Sequence, residues 1–198
     1  MPFAESITPE EIEKLPLMQF DGPIEVITSP GPQYDKAIRH LSQCRMIGFD
    51  TETKPVFQPH AHHHPTALLQ LSSDERSFLF RLSSLGLPDE LAEILASESI
   101  TKIGAAVYDD IRGLQYYNRF EARRFMDLQH FAERYGIKDK SVKKLSAIIL
   151  GVKISKAQQC SNWEAVELND AQKAYAATDA WICLKMYKAL LESCQRLY

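Results

Sequence analysis

The sequence predicts a single α/β domain, built on a mixed β-sheet that is flanked by helices. Three observations lead to this prediction. Short apolar runs typical of strands come first, two of them are spaced as a hairpin, and strands then alternate with helical patterns. The chain has 198 residues, of which 45% are hydrophobic and 25% charged, and this suits one domain with a substantial core.

The predicted elements begin with an arm at residues 1–22, followed by the main domain at 23–198. In the arm, Thr8 and Glu11 have the spacing of a capping box, and Pro9 stands at the first helical position. The first half of the domain has a predicted helix at Tyr34–Ser42 and strands at Ile24–Thr28, Met46–Thr53, Ala67–Ser72 and Ser77–Arg81. Only a few polar residues separate the last two strands, so we expect them to pair as a hairpin.

The second half of the domain is predicted to be mainly helical. Its strands are expected at Ile100–Ala105 and Arg124–Met126, and its helices at Pro88–Ser97, Asp110–Tyr117, Leu128–Tyr135, Val142–Leu150 and Asp170–Arg196. Gly151 stands where the fourth of these helices should end. Asn169 and Gln172 have capping-box spacing at the start of the last helix, after an irregular loop at Val152–Glu167.

Asp50 and Glu52 stand one residue apart at the end of the predicted strand that begins at Met46. Residues i and i+2 of a strand point to the same face, so both carboxylates would project together. Two adjacent anions repel each other unless a cation lies between them, and oxygen ligands at this spacing suit Mg²⁺ or Mn²⁺. The alternative interpretation is an ordinary strand end that runs into a polar turn.

Tyr175 and Asp179 provide a second signal, within the predicted last helix. Their i, i+4 spacing places them on one helix face. Asp179 stands among apolar neighbours such as Trp181 and Ile182, where a carboxylate needs a cation or a hydrogen-bond donor. The structural alternative is a tyrosine packed in the core and a solvated aspartate.

Asp109 and Asp110 provide a third signal, after the predicted strand that contains Gly104. Acidic residues at a helix start are common for capping and dipole reasons alone. This pair therefore gains its meaning only together with the other two signals.

Together the three signals resemble the DEDD superfamily of 3′–5′ exonucleases, in the branch whose third motif contains tyrosine, which includes ribonuclease D and the Werner helicase exonuclease domain. Asp50 and Glu52 match the D-x-E of the first motif, Asp110 matches the aspartate of the second, and Tyr175 and Asp179 match the Y-x-x-x-D of the third. The motifs stand in the family's order. The resemblance implies a ribonuclease-H-like α/β fold.

The resemblance also implies a function: hydrolysis of phosphodiester bonds from the 3′ end of single-stranded or frayed DNA or RNA, with two divalent cations, Mg²⁺ or Mn²⁺. The implied metal ligands are Asp50, Glu52, Asp110 and Asp179, and Tyr175 would orient the attacking water. The choice of Asp110 over Asp109 depends on the family's spacing. The residues expected beside the substrate are Thr51, Lys54, Asn162 and Trp163.

Composition limits the partners and the compartment. A formal net charge of −3 argues against tight, non-specific binding of duplex nucleic acid, although local basic residues could still line a groove, namely Lys54, Arg112, Lys143, Lys144 and Lys156. We expect no membrane partner and no signal peptide, because the apolar stretches are short and the N-terminus lacks the features of a leader. The four cysteines show no zinc or C-x-x-C spacing, so a cytoplasmic protein is expected.

Other interpretations stay open from the sequence. The same fold could carry a catalytically silent nucleic-acid-binding module, because fold does not determine function. A ribonuclease-H-type endonuclease is disfavoured by Tyr175 and Asp179 on the last helix. The histidine-rich segment at 60–64 is bounded by prolines and should be a loop, which either binds metal or is simply exposed. The preference between DNA and RNA is also open.

Overall fold

The computed structural model of the chain describes residues 3–55 and 64–195. Within these ranges one mixed sheet contains the strands β1 (Ile24–Ile27), β2 (Met46–Thr53), β3 (Thr66–Ser72), β4 (Ser77–Arg81), β5 (Thr101–Gly104) and β6 (Phe125–Asp127). Their order across the sheet is β1-β4-β3-β2-β5-β6. The pairs β2–β3 and β3–β4 are antiparallel, which confirms the predicted hairpin, and the other three pairs are parallel.

Helices cover both faces of this sheet. In the described part of the chain they are α1 (Pro9–Glu13), α2 (Pro32–Ser42), α3 (Leu82–Leu85), α4 (Asp89–Ala96), α5 (Val107–Gln115), α6 (Leu128–Glu133), α7 (Val142–Leu150) and α8 (Asp170–Gln195). None of them is both long and apolar enough to cross a membrane. The short α3 was not predicted; it is a single turn that buries Leu82 and ends at Gly86, which has a φ of 67°.

The start of α5 differs from the prediction. The helix begins at Val107 and not at Asp110, because Ala106 adopts a left-handed conformation with a φ of 57° and turns the chain directly from β5 into the helix. Asp109 therefore lies in the first helical turn and is exposed, whereas Asp110 follows it and is partly buried. The other predicted helices and strands agree with the described structure to within a few residues.

Alternate residues of β2 face opposite sides of the sheet, one side packed against a hydrophobic core and the other against α8. Ile47 and Phe49 are fully buried in a core that includes residues of α2, α4 and α5. Gly48 faces the other way and touches α8, where a β-carbon at this position would lie 1.9 Å from the carbonyl oxygen of Ala180. The absence of a side chain at Gly48 therefore lets the α8 backbone lie directly on β2.

The start of α8 is fixed by the predicted capping box. The backbone N–H of Gln172 donates to Asn169 Oδ1 at 2.9 Å, and the backbone N–H of Asn169 donates to Gln172 Oε1 at 3.0 Å. The helix then crosses the sheet with fully buried small residues, Ala176, Ala177 and Ala180. These small side chains allow close contact along the segment that carries Tyr175 and Asp179.

The N-terminal arm is attached to this same helix. Thr8 and Glu11 form the predicted capping box at the start of α1. Ile12 and Phe20 are buried, and the backbone N–H of Phe20 donates to Thr178 Oγ1 at 3.0 Å. The arm thus contacts the residue that precedes Asp179 in α8.

Candidate metal centre and active site

Three carboxylates meet where the end of β2 faces α8. Asp50 and Glu52 come from β2 and share the side of the sheet occupied by Gly48, because side chains alternate along a strand. Asp179 comes from α8, one residue before the Ala180 that touches Gly48. One oxygen from each carboxylate lies within 4.8 Å of the others. The contact between β2 and α8 therefore brings the first and third sequence motifs together.

Burial makes the ionised forms of these carboxylates unfavourable in free energy unless a cation neutralises them. Burial raises the pKa of Asp50 well above its usual range, and the nearby carboxylates of Asp179 and Asp110 raise it further. The pKa of Glu52 is raised to about 9, by burial first and then by Asp50 and Asp179. A positive charge within the group would relieve both effects.

The donor set fits a small divalent cation. All three ligands are carboxylate oxygens, which suit Mg²⁺ or Mn²⁺ better than softer metals. Asp179 is buried; its Oδ2 accepts a hydrogen bond from Lys156 Nζ at 2.8 Å, and its Oδ1 has no hydrogen-bond partner within the described residues. Buried polar atoms are nearly always bonded in native proteins, so this oxygen fits a cation as its partner.

Asp110 approaches from the opposite side of the sheet. Thr51 lies between the two β2 carboxylates and points towards the side that α5 covers, as the strand's alternation requires. Its hydroxyl donates to Asp110 Oδ1 at 2.6 Å. Burial raises the pKa of Asp110 to about 6, although the Thr51 bond acts against this shift. Asp110 is thus held beside the cluster, while Asp109 is exposed.

Tyr175 lies one helical turn before Asp179 and is also buried. Burial raises the pKa of its phenol, and the carboxylates of Asp179 and Glu52 raise it further. The ring packs against Trp163, with the two ring centroids 5.8 Å apart. A phenol with a raised pKa keeps its proton at neutral pH, so Tyr175 is available as a hydrogen-bond donor.

The four residues expected beside the substrate differ in burial and in the contacts they make. The side chain of Trp163 is fully buried and packs against Tyr175, and its contact with substrate stays a prediction. Asn162 is exposed, and its carbonyl oxygen accepts from Gln172 Nε2 at 3.2 Å. Lys54 Nζ lies 3.3 Å from a carboxylate oxygen of Glu164. Thr51 and Lys54 lie at the end of β2 that carries the cluster.

The structure describes only one residue, His64, of the histidine-rich segment at 60–64. Residues 60–63 of the segment lie outside the described residues. His64 is described, and its Nδ1 lies 3.1 Å from a carboxylate oxygen of Glu164, the residue that also pairs with Lys54. His64 therefore contacts the loop before α8 and not the three clustered carboxylates.

Two contacts in the site were not predicted from the sequence. They are the ion pair between Lys156 and Asp179 and the hydrogen bond between Thr51 and Asp110. Lys156 comes from the irregular loop between α7 and α8, where no periodic pattern indicates the direction of a side chain. The direction of Thr51 does follow from strand alternation, which was the one available signal.

Comparison with known proteins identifies the class to which this fold and site belong. Residues 26–195 match the family model for 3′–5′ exonucleases. The chain therefore belongs to the 3′–5′ exonuclease family of the DEDD superfamily, as the motifs predicted.

Individual relatives agree with this assignment. The chain is 33% identical over 181 residues to exonuclease 3′-5′ domain-containing protein 2 of Drosophila melanogaster, covering 87% of this chain and 30% of the relative. It is 29% identical over 187 residues to the bifunctional 3′-5′ exonuclease/ATP-dependent helicase WRN of Mus musculus, covering 90% of this chain and 13% of that protein. The chain thus spans less than a third of the length of these relatives.

A solved structure confirms the fold class. The crystal structure of Escherichia coli RNase D, an exoribonuclease involved in structured RNA processing, superposes with a TM-score of 0.76 at 22% identity, covering 87% of this chain and 45% of that one. The predicted ribonuclease-H-like α/β fold is therefore confirmed.

Proposed function

We propose that this chain is a metal-dependent 3′–5′ exonuclease of the tyrosine branch, which removes nucleotides from the 3′ end of single-stranded or frayed nucleic acid. The observation that carries the proposal is the group of Asp50, Glu52 and Asp179, with oxygens within 4.8 Å of one another and Tyr175 one helical turn away. Membership of the exonuclease family supports the same reading.

In the proposed mechanism the carboxylates hold divalent cations. Asp50, Glu52 and Asp179 would hold one cation, and Asp50 and Asp110 would hold a second. When bound, such ions supply an activated water and stabilise the charge that develops on the leaving 3′-oxygen. The hydrogen bond from Thr51 keeps the Asp110 carboxylate beside the end of β2.

Tyr175 is proposed to position the attacking water. Its buried phenol keeps its proton, so it acts by donating a hydrogen bond and not as a general base. Trp163 packs against the tyrosine ring and limits its movement. Each of these residues is therefore assigned to orientation, which contributes to rate by reducing the entropy lost at the transition state.

The preference for single strands is proposed on charge. The net charge is −3, and several candidate groove lysines already pair with carboxylates: Lys54 with Glu164, Lys143 with Glu13, and Lys144 with Asp139. Basic side chains that already pair with carboxylates contribute less to binding the phosphates of duplex DNA. A single strand has a lower charge density than a duplex and depends less on such contacts.

Product analysis with end-labelled oligonucleotides tests the proposal. Purified protein is incubated with Mg²⁺ or Mn²⁺ and with 5′-labelled single-stranded DNA or RNA. We expect a ladder that shortens by one nucleotide at a time, loss of activity with excess chelator, and recovery when metal is added back. The comparison of the two ladders also gives the preference between DNA and RNA.

Three controls determine how the result is interpreted. A 3′-phosphate on the oligonucleotide should slow the reaction. Cleavage of a closed circular single strand would contradict the exonuclease proposal, because a circle has no end. Binding of the oligonucleotide without any hydrolysis, under all metal conditions, would instead favour the silent nucleic-acid-binding module.

A further inference from the structure

Lys156 forms an ion pair with Asp179, a candidate metal ligand. Its Nζ lies 2.8 Å from Asp179 Oδ2 and 5.2 Å from the centroid of the Tyr175 ring. Asp50, Glu52, Asp179 and Tyr175 belong to β2 or α8, whereas Lys156 comes from the loop between α7 and α8. In the described ranges no other basic side chain is within 4.0 Å of a carboxylate oxygen of the cluster.

The loop that carries Lys156 is fixed on both sides of this residue. On the N-terminal side, the backbone of Lys153 bonds to the arm through Pro16 and Met18, at 2.9 Å and 2.8 Å. On the C-terminal side, Arg81 donates to the carbonyl oxygen of Ala165 at 2.5 Å. The contact with Asp179 therefore comes from an anchored loop and not from a free tail.

The environment of Lys156 suits a charge that can be displaced. Its side chain is 26% exposed, whereas the Asp179 side chain is 4% exposed, so the ammonium group has a route to water that the carboxylate does not have. A lysine side chain is flexible and carries a compact single charge. It can neutralise one oxygen of Asp179, but it cannot bind three carboxylates at once as a divalent cation can.

We propose that Lys156 is an internal counter-ion that competes with the divalent cation for Asp179, an inference that rests on the proposed metal-dependent function. Without metal, the ammonium group reduces the repulsion among the three carboxylates and stabilises the fold. When the cation binds, the ammonium group leaves Asp179 for solvent or for a substrate phosphate. Because the ammonium group and the cation repel each other and share the negative charge of Asp179, Lys156 lowers the apparent affinity of the site for metal.

Metal binding and thermal stability test this proposal without any measurement of catalysis. Mn²⁺ binding is measured by isothermal titration calorimetry, and the melting temperature is measured in chelator. For Lys156→Gln we expect Mn²⁺ to bind about tenfold more tightly, which corresponds to about 1.4 kcal/mol. We also expect the melting temperature in chelator to fall, and the increase in melting temperature on adding Mn²⁺ to become larger.

The chain offers matched controls. Lys153 is in the same loop and its side chain is also 26% exposed, but it pairs with Glu13. Lys153→Gln should leave the Mn²⁺ dissociation constant unchanged. Lys156→Arg keeps the charge and should bind Mn²⁺ within about threefold of the wild-type protein. Lys156→Met, which removes the charge but keeps an unbranched side chain of similar length, repeats the test if circular dichroism shows that glutamine disturbs the fold.

The outcomes separate this proposal from the proposed function. Tighter binding by Lys156→Gln, with Lys156→Arg near wild type, supports the counter-ion. Equal or weaker binding by Lys156→Gln overturns it, because a lysine that only orients Asp179 would weaken binding when removed. If the wild-type protein and every variant fail to bind Mn²⁺, the counter-ion and the metal-dependent function are both overturned.

Discussion

The protein buries charge in two places that are built in opposite ways. In β5 a single positive charge, that of Lys102, is surrounded by carbonyl groups that accept its hydrogen bonds. Between β2 and α8, three negative charges lie together with too few groups to balance them. The difference distinguishes a buried charge that stabilises the fold from a group of buried carboxylates that fits an external cation.

Lys102 is fully buried, and the protein supplies its hydrogen bonds. Its Nζ donates to the carbonyl oxygens of Ser97 and Ile100, at 2.8 Å and 2.9 Å, and lies 5.1 Å from the centre of the Phe125 ring. Burial lowers its pKa to about 8, and the positive charge of Arg124 contributes to this shift. Even a well-bonded buried charge is thus less stable than one in water.

The carboxylate cluster lacks such internal balance. Asp179 Oδ1 has no hydrogen-bond partner within the described residues, and burial raises the pKa of both Asp50 and Glu52. Lys156 is the basic group in contact with the cluster. Sequences generally satisfy their buried polar groups, so a group left unsatisfied indicates a site for an external ligand.

The largest effect should come from removing one charge of the cluster. Glu52→Gln should reduce exonuclease activity to the background of a protein-free control, because a proposed metal ligand is lost. In chelator the same variant should be more stable than the wild-type protein, by about 0.5–2 kcal/mol, because it removes the cost of burying a carboxyl group whose pKa is raised to about 9. Product ladders and denaturant titrations measure the two effects, and a less stable variant would contradict the comparison.

The next largest effect should come from removing Asp110, which lies beside the three clustered carboxylates. Asp110→Ala should remove nearly all turnover, because Asp110 is held beside β2 by Thr51. Asp109→Ala is the matched control and should keep most activity, since Asp109 is exposed. Single-turnover rates at saturating Mg²⁺ measure both. The reverse pattern would move the assignment to Asp109 without changing the fold.

A smaller loss of rate is expected when the water-positioning group is removed. Tyr175→Phe keeps the ring that packs on Trp163 but removes the hydroxyl. Activity should fall by about 10²–10⁴-fold, while Mn²⁺ binding measured by calorimetry stays close to wild type. Wild-type activity in this variant would make Tyr175 a packing residue.

Removing the other buried charge should affect stability and not chemistry. Lys102→Met leaves the carbonyl groups of Ser97 and Ile100 without their donor, so the free energy of unfolding should fall by about 1–3 kcal/mol. Lys36→Met, which removes an exposed partner of Glu25, should change it by less than about 0.5 kcal/mol. Urea titrations measure both, and equal effects would show that burial of Lys102 contributes little.

The buried charge of Lys102 also makes stability depend on pH. The folded pKa of Lys102, about 8, is below its ordinary value of 10.5, so the unfolded chain binds more protons between these values. Stability from this group is therefore present at high pH and is lost as pH falls through 8. The stability difference between wild type and Lys102→Met should grow from pH 8 to pH 10, and a flat difference would contradict the shift.

Much of the fold was predictable because its elements have local causes. The bounds of β2, β4 and α7 agree with the prediction, and capping groups at Thr8 and Asn169 indicated where α1 and α8 begin. The start of α5 was missed because it depends on the left-handed conformation of Ala106. Alanine rarely adopts this conformation, so its residue type gives no warning.

The candidate site was predictable only in part from the residues alone. Strand alternation placed Asp50 and Glu52 together, but their approach to Asp179 depends on contacts between distant segments, and here the family resemblance was needed. The burial of Trp163 and the direction of Lys156 come from an irregular loop, where no period applies. The division into an arm and a main domain and the cytoplasmic location stay predictions.

The contact at Gly48 has a consequence for the kind of ion that can be held. Mg²⁺ binds oxygen at about 2.0–2.1 Å and Ca²⁺ at about 2.3–2.6 Å, so a few tenths of an ångström in ligand spacing separate the two. The ligands here stand on two elements whose backbones touch at Gly48 and Ala180. Because the backbones already touch at this point, the two elements cannot move closer, and the contact limits how short the spacing between the candidate ligands can become.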